Sequence, residues 1–320
     1  DRVPQFADLD MLEPIEGLMA TNTDLSADNY LEVAWNAGNY EGTQYTVPLD
    51  IHGNAMYYNT DLLDKYDANT FLDDDVVTIE EILSLDGKLD EGQYAINNAL
   101  IEWVTLANVV NAGGDISDEA GNPTINTDAM RSVVEQLKSV ADAGLMSPYG
   151  EDGYAMFQSG DVLFSTDGTW TSTAHGSVEG LNFGVTNIYS VTPDKFTNRS
   201  SAHLFSLLNN EDRTDEKEQG VADFLSWMRE NSLDWAGAGQ IVASKEVFES
   251  EEYQQYPQSF FTSSDVEKEA SYIFDYKYYS YVESALGTVL SDMIYGNITI
   301  DEGLDQAQKT VEDLIAENAS

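Results

Sequence analysis

Residues 45–59, YTVPLDIHGNAMYYN, constrain this chain more than any other stretch. Two apolar runs, Tyr45-Thr46-Val47 and Met56-Tyr57-Tyr58, flank a polar centre of Asp50, His52 and Asn54. The flanks read as extended strand, but a plain core strand has no use for three polar side chains in its middle. Pro48 cannot donate a ladder hydrogen bond, which confines its segment to a sheet edge or a crossing. Gly53 adds a second backbone irregularity. The pattern predicts one strand leaving a first lobe at Val47 and another entering a second lobe at Ala55. The polar centre then falls in the gap, where it can meet solvent or a ligand.

With 320 residues the chain can build two lobes, each with its own core. Asp and Glu total 58 against 14 Lys and Arg, a formal charge of −44, and the acids are spread through every segment. This is a property of the whole surface and not of a tail. Such a surface repels itself in dilute buffer, whereas at ~1 M salt the Debye length falls to roughly 3 Å and the repulsion is screened. The charge therefore implies a salt-loving source, the alternative being an ordinary acidic secreted protein. Nucleic acid and anionic membrane surfaces are excluded as partners on the same ground. With no cysteine, neither disulfides nor thiolate-held metals stabilise the fold. No apolar run reaches the roughly 20 residues needed to span a bilayer.

Along the chain, Thr78-Ile-Glu-Glu81 and Thr299-Ile-Asp-Glu302 are capping boxes that open helices. Thr127 caps a helix with Met130, Val133, Val134, Leu137 and Val140 on one stripe. Residues 113–123 are rich in acids but lack the spacing of a calcium loop, and fit a hairpin turn. Trp35 is assigned to the core. Trp103 stands near the start of a helix over 102–110, where core and binding roles are equally compatible with its position. Residues 162–165 read as a buried strand that delivers Asp167 and Gly168 to the N-terminus of a helix beginning at Trp170. That places free amides and an aromatic ring at a strand's carboxyl end, where open α/β sheets bind ligands. Residues 272–281 hold five tyrosines, most of them suited to sealing an interface; Tyr279 is the one assigned to the ligand. His52, His175 and His203 all fall in segments placed near the gap. Lone histidines more often hydrogen-bond in place, so no metal ligand is assigned.

The run Val47-Pro48-Leu49-Asp50-x-His52, followed by Tyr57-Tyr-Asn-Thr-Asp-Leu-Leu63, resembles the first hinge crossing of extracellular solute-binding proteins of ABC importers, in the maltose-binding-like sugar-binding group. The pattern from Phe157 to Trp170, the second crossing at 200–208 and the closing helix pair resemble the same family in the same order. The resemblance implies an α/β, two-lobed periplasmic-binding-protein-like fold of type II. Lobe one takes residues 1–50 and 201–250, lobe two residues 51–200 and 251–320, and a third crossing falls near residue 250. It further implies that the family's opening β-α units, with a signal or lipid anchor, precede the segment at residues 6–15, leaving lobe one incomplete. The implied function is capture of a sugar or oligosaccharide outside the cell, by a surface-anchored monomer, for an ABC membrane permease. No cofactor or catalysis is implied. Asp50, His52, Trp103, Asp167, Trp170 and Tyr279 are the expected ligand contacts. A glycoside hydrolase, or the same fold with a non-sugar solute, is the alternative.

Overall fold

The computed structural model describes residues 2–192, 195–210, 212–263 and 271–318. A short sheet is built from β1 (Leu12–Glu13), and a two-stranded hairpin from β2 (Asn39–Tyr40) and β3 (Thr43–Gln44). Then come β4 (Thr46–Pro48) and β5 (Asp50–Asn59). The remaining strands are β6 (Tyr94–Ile96), β7 (Val162–Gly168), β8 (Phe183–Thr186), β9 (Asn198–Ser201), β10 (Leu204–Leu208), β11 (Ile241–Val242) and β12 (Ser271–Tyr272). The short sheet has the order β1-β10-β4 and is antiparallel. The larger sheet runs β12-β9-β5-β7-β6, with β8 and β11 also paired to β5.

Pro48 does sit on an edge strand, β4, as its missing N–H requires. The gap expected between Val47 and Ala55 is not there. Leu49 alone separates β4 from β5, and its amide is held by the His203 carbonyl at 2.8 Å. β5 starts at Asp50 and runs unbroken for 10 residues, pairing in turn with β11, β9, β7 and β8. Asp50 stays in a strand because neighbouring segments supply donors to its carboxylate. Gly53 is no kink: a Cβ there would lie 3.1 Å from the Ser200 hydroxyl and 3.2 Å from the Arg199 carbonyl, so it permits the close approach of β9. The chain returns from the large sheet to the small one through Ala202 and His203, between β9 and β10.

Two main cores follow. One packs the helices Ile101–Asn111, Asp128–Asp142, Tyr279–Ile294 and Ile300–Asn318 around Met56, Leu163 and Phe164. The other gathers Ile15, Leu18, Leu25, Trp35, Val47, Leu225 and Ile241 with Ala55 and Tyr57. Adjacent residues of β5 thus feed both cores, because successive side chains of a strand point to opposite faces. Trp35 is core, stacked on Tyr30 at 5.5 Å. Both capping boxes form, with Thr78 and Thr299 hydroxyls accepting the amides of Glu81 and Glu302 and those carboxylates reaching back. The acidic stretch is a turn closed by Asp118 and Asn122, as its composition suggested. Phe261 still belongs to the second core and Phe274 to the first, so the chain passes between them after residue 261.

Candidate ligand site where the two sheets meet

The site grows from the junction of β4 and β5. Asp50 is fully buried, and its carboxylate is the common acceptor of three separate segments. The His203 amide donates to Oδ1 at 3.0 Å, and the His203 ring, Nδ1, lies 2.9 Å from Oδ2. The His52 ring reaches Oδ1 at 3.3 Å, and the Trp235 indole donates to Oδ2 at 2.6 Å. Burial alone would push the Asp50 carboxyl up. The hydrogen bonds from His203, His52 and Trp235 outweigh it and hold the carboxyl well below the usual range. The same bond to Asp50 raises His203 above an ordinary histidine.

Aromatic rings continue outward from this carboxylate. His52 lies 4.3 Å from His203, 5.9 Å from Trp170 and 6.5 Å from Trp103, centroid to centroid, and the two indoles meet edge to face at 6.0 Å. Trp235 closes the other end, 6.4 Å from His203. The rings of His52, Trp103, Trp170 and Trp235 are half-buried, and His203 is exposed.

Local sequence explains these positions. β7 does not stop at Ser165; it continues through Asp167 and Gly168, which pair with Ala55 and Asn54. A tight turn, Thr169–Thr171, follows and replaces the expected helix start at Trp170; the helix itself spans Ser172–Gly176. The turn folds the indole back over Gly168, where a Cβ would come within 2.2 Å of the ring. The Tyr57 hydroxyl holds the turn by donating to the Gly168 and Thr169 carbonyls at 3.0 and 3.1 Å. From the other side Gly239, at φ +90°, brings its segment against the turn; a Cβ there would stand 2.9 Å from the Trp170 Cα. Trp103 is placed through Asn97, whose amide bonds Ser165 Oγ and accepts from the Thr166 amide, tying the end of β6 to β7. Leu100, at φ +48°, then turns the chain directly into the helix that carries Trp103.

Of the six expected contacts, the structure brings Asp50, His52, Trp103 and Trp170 together. Asp167 is buried within its strand, its Oδ1 accepting the Gly168 amide at 2.7 Å, and burial pushes its carboxyl up to about 6. Tyr279 is also buried and turned to a structural task. Its hydroxyl accepts from Arg199 Nε at 2.7 Å, while the guanidinium lies 3.8 Å above the Trp103 ring. Trp103 in turn donates to Glu283. His175 lies apart, fully buried among Tyr57, Phe157, Tyr154 and Phe183, with no hydrogen bond on either ring nitrogen; burial lowers it to about 4.

Sequence reasoning did not assign His203, Trp235, Arg199 or Asn54. The position of His203 in a crossing was the only signal for it, and Trp235 was visible only as the start of a glycine-rich segment. Arg199 offered a different clue: a cation inside so acidic a chain is there for a partner. Asn54 shares the site-facing side of β5 with His52, and no protein group bonds its buried side-chain amide. A cavity of about 710 Å³ lies elsewhere. It is lined by Leu31, Val33, Ile51, Ile241, Phe248 and Phe261 among others and contains none of these site residues.

The sequence matches the family described as bacterial extracellular solute-binding protein over residues 1–262. Solved structures give the same fold. The ABC substrate-binding protein Lmo0181 from Listeria monocytogenes, in complex with cycloalternan, superposes with a TM-score of 0.82 at 16% identity, covering 99% of this chain and 83% of the other. The maltose/maltodextrin-binding domain MalE from Bdellovibrio bacteriovorus, bound to maltotriose, gives 0.76 at 17% identity, covering 98% and 82%. UgpB from Mycobacterium tuberculosis, in complex with glycerophosphocholine, gives 0.80 at 14% identity, covering 99% and 82%. No match was found among curated proteins. With its two-lobed α/β architecture, the chain belongs to the bacterial extracellular solute-binding protein family.

Proposed function

We propose that the protein captures a neutral oligosaccharide between its lobes and presents it to the membrane permease of an ABC importer. The observation that carries this reading is the row of half-buried rings, Trp103, Trp170, His52 and Trp235, set beside the polar junction where the two sheets meet. Aromatic faces stack on the C–H faces of sugars, and the nearby imidazoles and the Asn54 amide supply hydrogen bonds to hydroxyls. Several structural neighbours bind oligosaccharides, which supports the same ligand class here. Among the described residues, Arg199 is the Lys or Arg beside the rings, and it is engaged with Tyr279 and Trp103, which disfavours a polyanionic solute.

Asp50, His52, Trp103 and Trp170 are the contacts this reading keeps at the centre. Asp167 and Tyr279 act behind them, the first in β7 and the second under Arg199. The protein works as an extracellular monomer anchored to the cell surface, in a salt-rich setting matched to its charge. It binds and releases its solute unchanged. Thermal-shift and calorimetric screening in high salt tests the reading, with maltotriose, cycloalternan and glycerophosphocholine as separate arms. Saturable binding of a neutral sugar supports it; binding of glycerophosphocholine alone moves the solute class. Turnover of a labelled oligosaccharide would replace the receptor reading with a hydrolase.

A further inference from the structure

We infer that Asp50, His52 and His203 form a site for one first-row divalent cation, with zinc(II) the best match. Their ligand atoms, one carboxylate oxygen and two imidazole nitrogens, all lie within 4.8 Å of one another. Asp50 Oδ1 is 3.3 Å from His52 Nδ1 and 3.0 Å from His203 Nδ1. With zinc bonds of roughly 2.0–2.2 Å to nitrogen and oxygen, the ligand atoms of a tetrahedral ion stand about 3.3 Å apart, so these edges are already near the required spacing.

The donor set selects the ion. Two imidazoles and one carboxylate suit zinc, cobalt, nickel or copper, whereas calcium and magnesium prefer a shell made of oxygen alone. The carboxylate is also held from behind, as ligating carboxylates are: the Trp235 indole and the His203 amide both donate to it. On binding, each Nδ1 gives up to solvent the proton it donates to Asp50 and turns the freed lone pair to the ion, while the neutral ring carries its proton on Nε2; the ion replaces the two ring-to-carboxylate hydrogen bonds. The His203 side chain is 54% exposed, so the remaining coordination position can be reached from solvent by water or by a hydroxyl of the solute. Because the ligands come from the β4–β5 junction and from the β9–β10 crossing, a bound ion would also clamp the two crossings together.

The inference stands apart from the solute reading and can fail without it. The test uses the full chain, stripped with EDTA and exchanged into about 1 M sodium chloride to suppress binding to surface acids. Zinc(II) is titrated by calorimetry, and cobalt(II) by visible absorption, for the wild type, His203→Ala and His52→Gln. One saturable ion per chain is expected, with the intense visible bands of four-coordinate cobalt, and each variant should weaken binding at least tenfold. His203→Ala removes a solvent-exposed ring, and circular dichroism shows whether its fold persists. If neither variant folds, the wild-type cobalt spectrum still decides. Equal zinc binding by wild type and variants, or a cobalt spectrum identical to that of the hydrated ion, overturns the inference. Maltotriose titration of the wild type, with and without zinc, tests the solute reading separately.

Discussion

Trp235 and Asp50, 185 residues apart in the chain, are joined by an indole-to-carboxylate hydrogen bond of 2.6 Å at the point where the strands pass between sheets. Asp50 also accepts from His52 and His203, so one buried carboxylate ties together three segments that no local pattern connects. Replacing it by Ala leaves the half-buried Trp235 and His52 donors and the His203 amide without this acceptor. Asp50→Ala is expected to lose about 3–5 kcal/mol of stability, the usual cost of removing one member of a buried hydrogen-bonded pair. Urea unfolding monitored by tryptophan fluorescence measures this. A loss below about 1 kcal/mol, the value of an ordinary hydrogen bond, would mean that the junction is held by its backbone alone.

Gly168 and Trp170 offer a cleaner probe of the site than removal of the ring. A methyl group at 168 collides with the indole, since the added Cβ would fall 2.2 Å from it. Gly168→Ala should therefore displace Trp170 and weaken oligosaccharide binding about as much as Trp170→Ala, by tenfold or more, or about 1.4 kcal/mol. Calorimetric titration of both variants with the same sugar provides the comparison. Gly168→Ala binding as tightly as the wild type would show that the ring's position does not matter.

Trp103 should behave differently from Trp170. Its ring lies under the buried Arg199 guanidinium and its indole nitrogen is bonded to Glu283, so Trp103→Ala uncovers a charge as well as a stacking surface. The expected result is a loss of affinity together with a loss of about 2–4 kcal/mol of stability, in line with other large core truncations. Trp170→Ala should lose affinity with a smaller change in melting temperature. Equal thermal shifts for the two variants would contradict the distinction.

The contrast between these tryptophans shows what the sequence could and could not reveal. Residues 45–59 announced a crossing because Pro48 and the polar triplet have no place in a simple strand, and capping boxes and stripes located the long helices. What β5 does with Asp50 was hidden, since its partners arrive from His203 in the β9–β10 crossing and from the Trp235 helix. Asp167 lies within its strand for a related reason: β7 runs three residues beyond Ser165, a boundary set by pairing with Asn54 and Ala55 and by nothing local. Tyr279 looked like a sugar contact because of its neighbours in sequence, but its hydroxyl is used by Arg199. β1, only two residues long, is defined wholly by its pairing with β10 and carried no signal.

His175 makes stability depend on pH with a definite sign. Its folded pKa lies at about 4, below the value near 6.5 of an exposed histidine, so the unfolded chain binds the proton first. The neutral ring's contribution is complete above about pH 6.5 and is lost as pH falls toward about 4, by up to about 3 kcal/mol. Asp167, raised to about 6, acts in the opposite direction between about pH 4 and 6, because the folded state there holds the extra proton. The effect of His175 is isolated by comparing wild type with His175→Phe, which fits the aromatic surroundings and cannot be protonated. Urea unfolding at pH 7 and at pH 4.5 should show the variant gaining on the wild type at the lower pH. An unchanged difference would place the ring's proton elsewhere.

The charge of −44 leads to a separate expectation. Melting temperature should rise steadily as sodium chloride increases from about 0.1 M to about 1 M, because screening relieves repulsion among the dispersed carboxylates. Differential scanning calorimetry across the series measures it. A flat response would remove the argument for a salt-adapted surface.

The central claim is that the rings gathered around Asp50 form the solute site, and a crystal structure of the protein grown with saturating maltotriose tests it most directly. The account predicts a pyranose ring against the Trp170 indole, with hydroxyls within hydrogen-bond reach of His52 or Asn54. Sugar bound in the cavity lined by Leu31, Phe248 and Phe261, with none at Trp170, would contradict it.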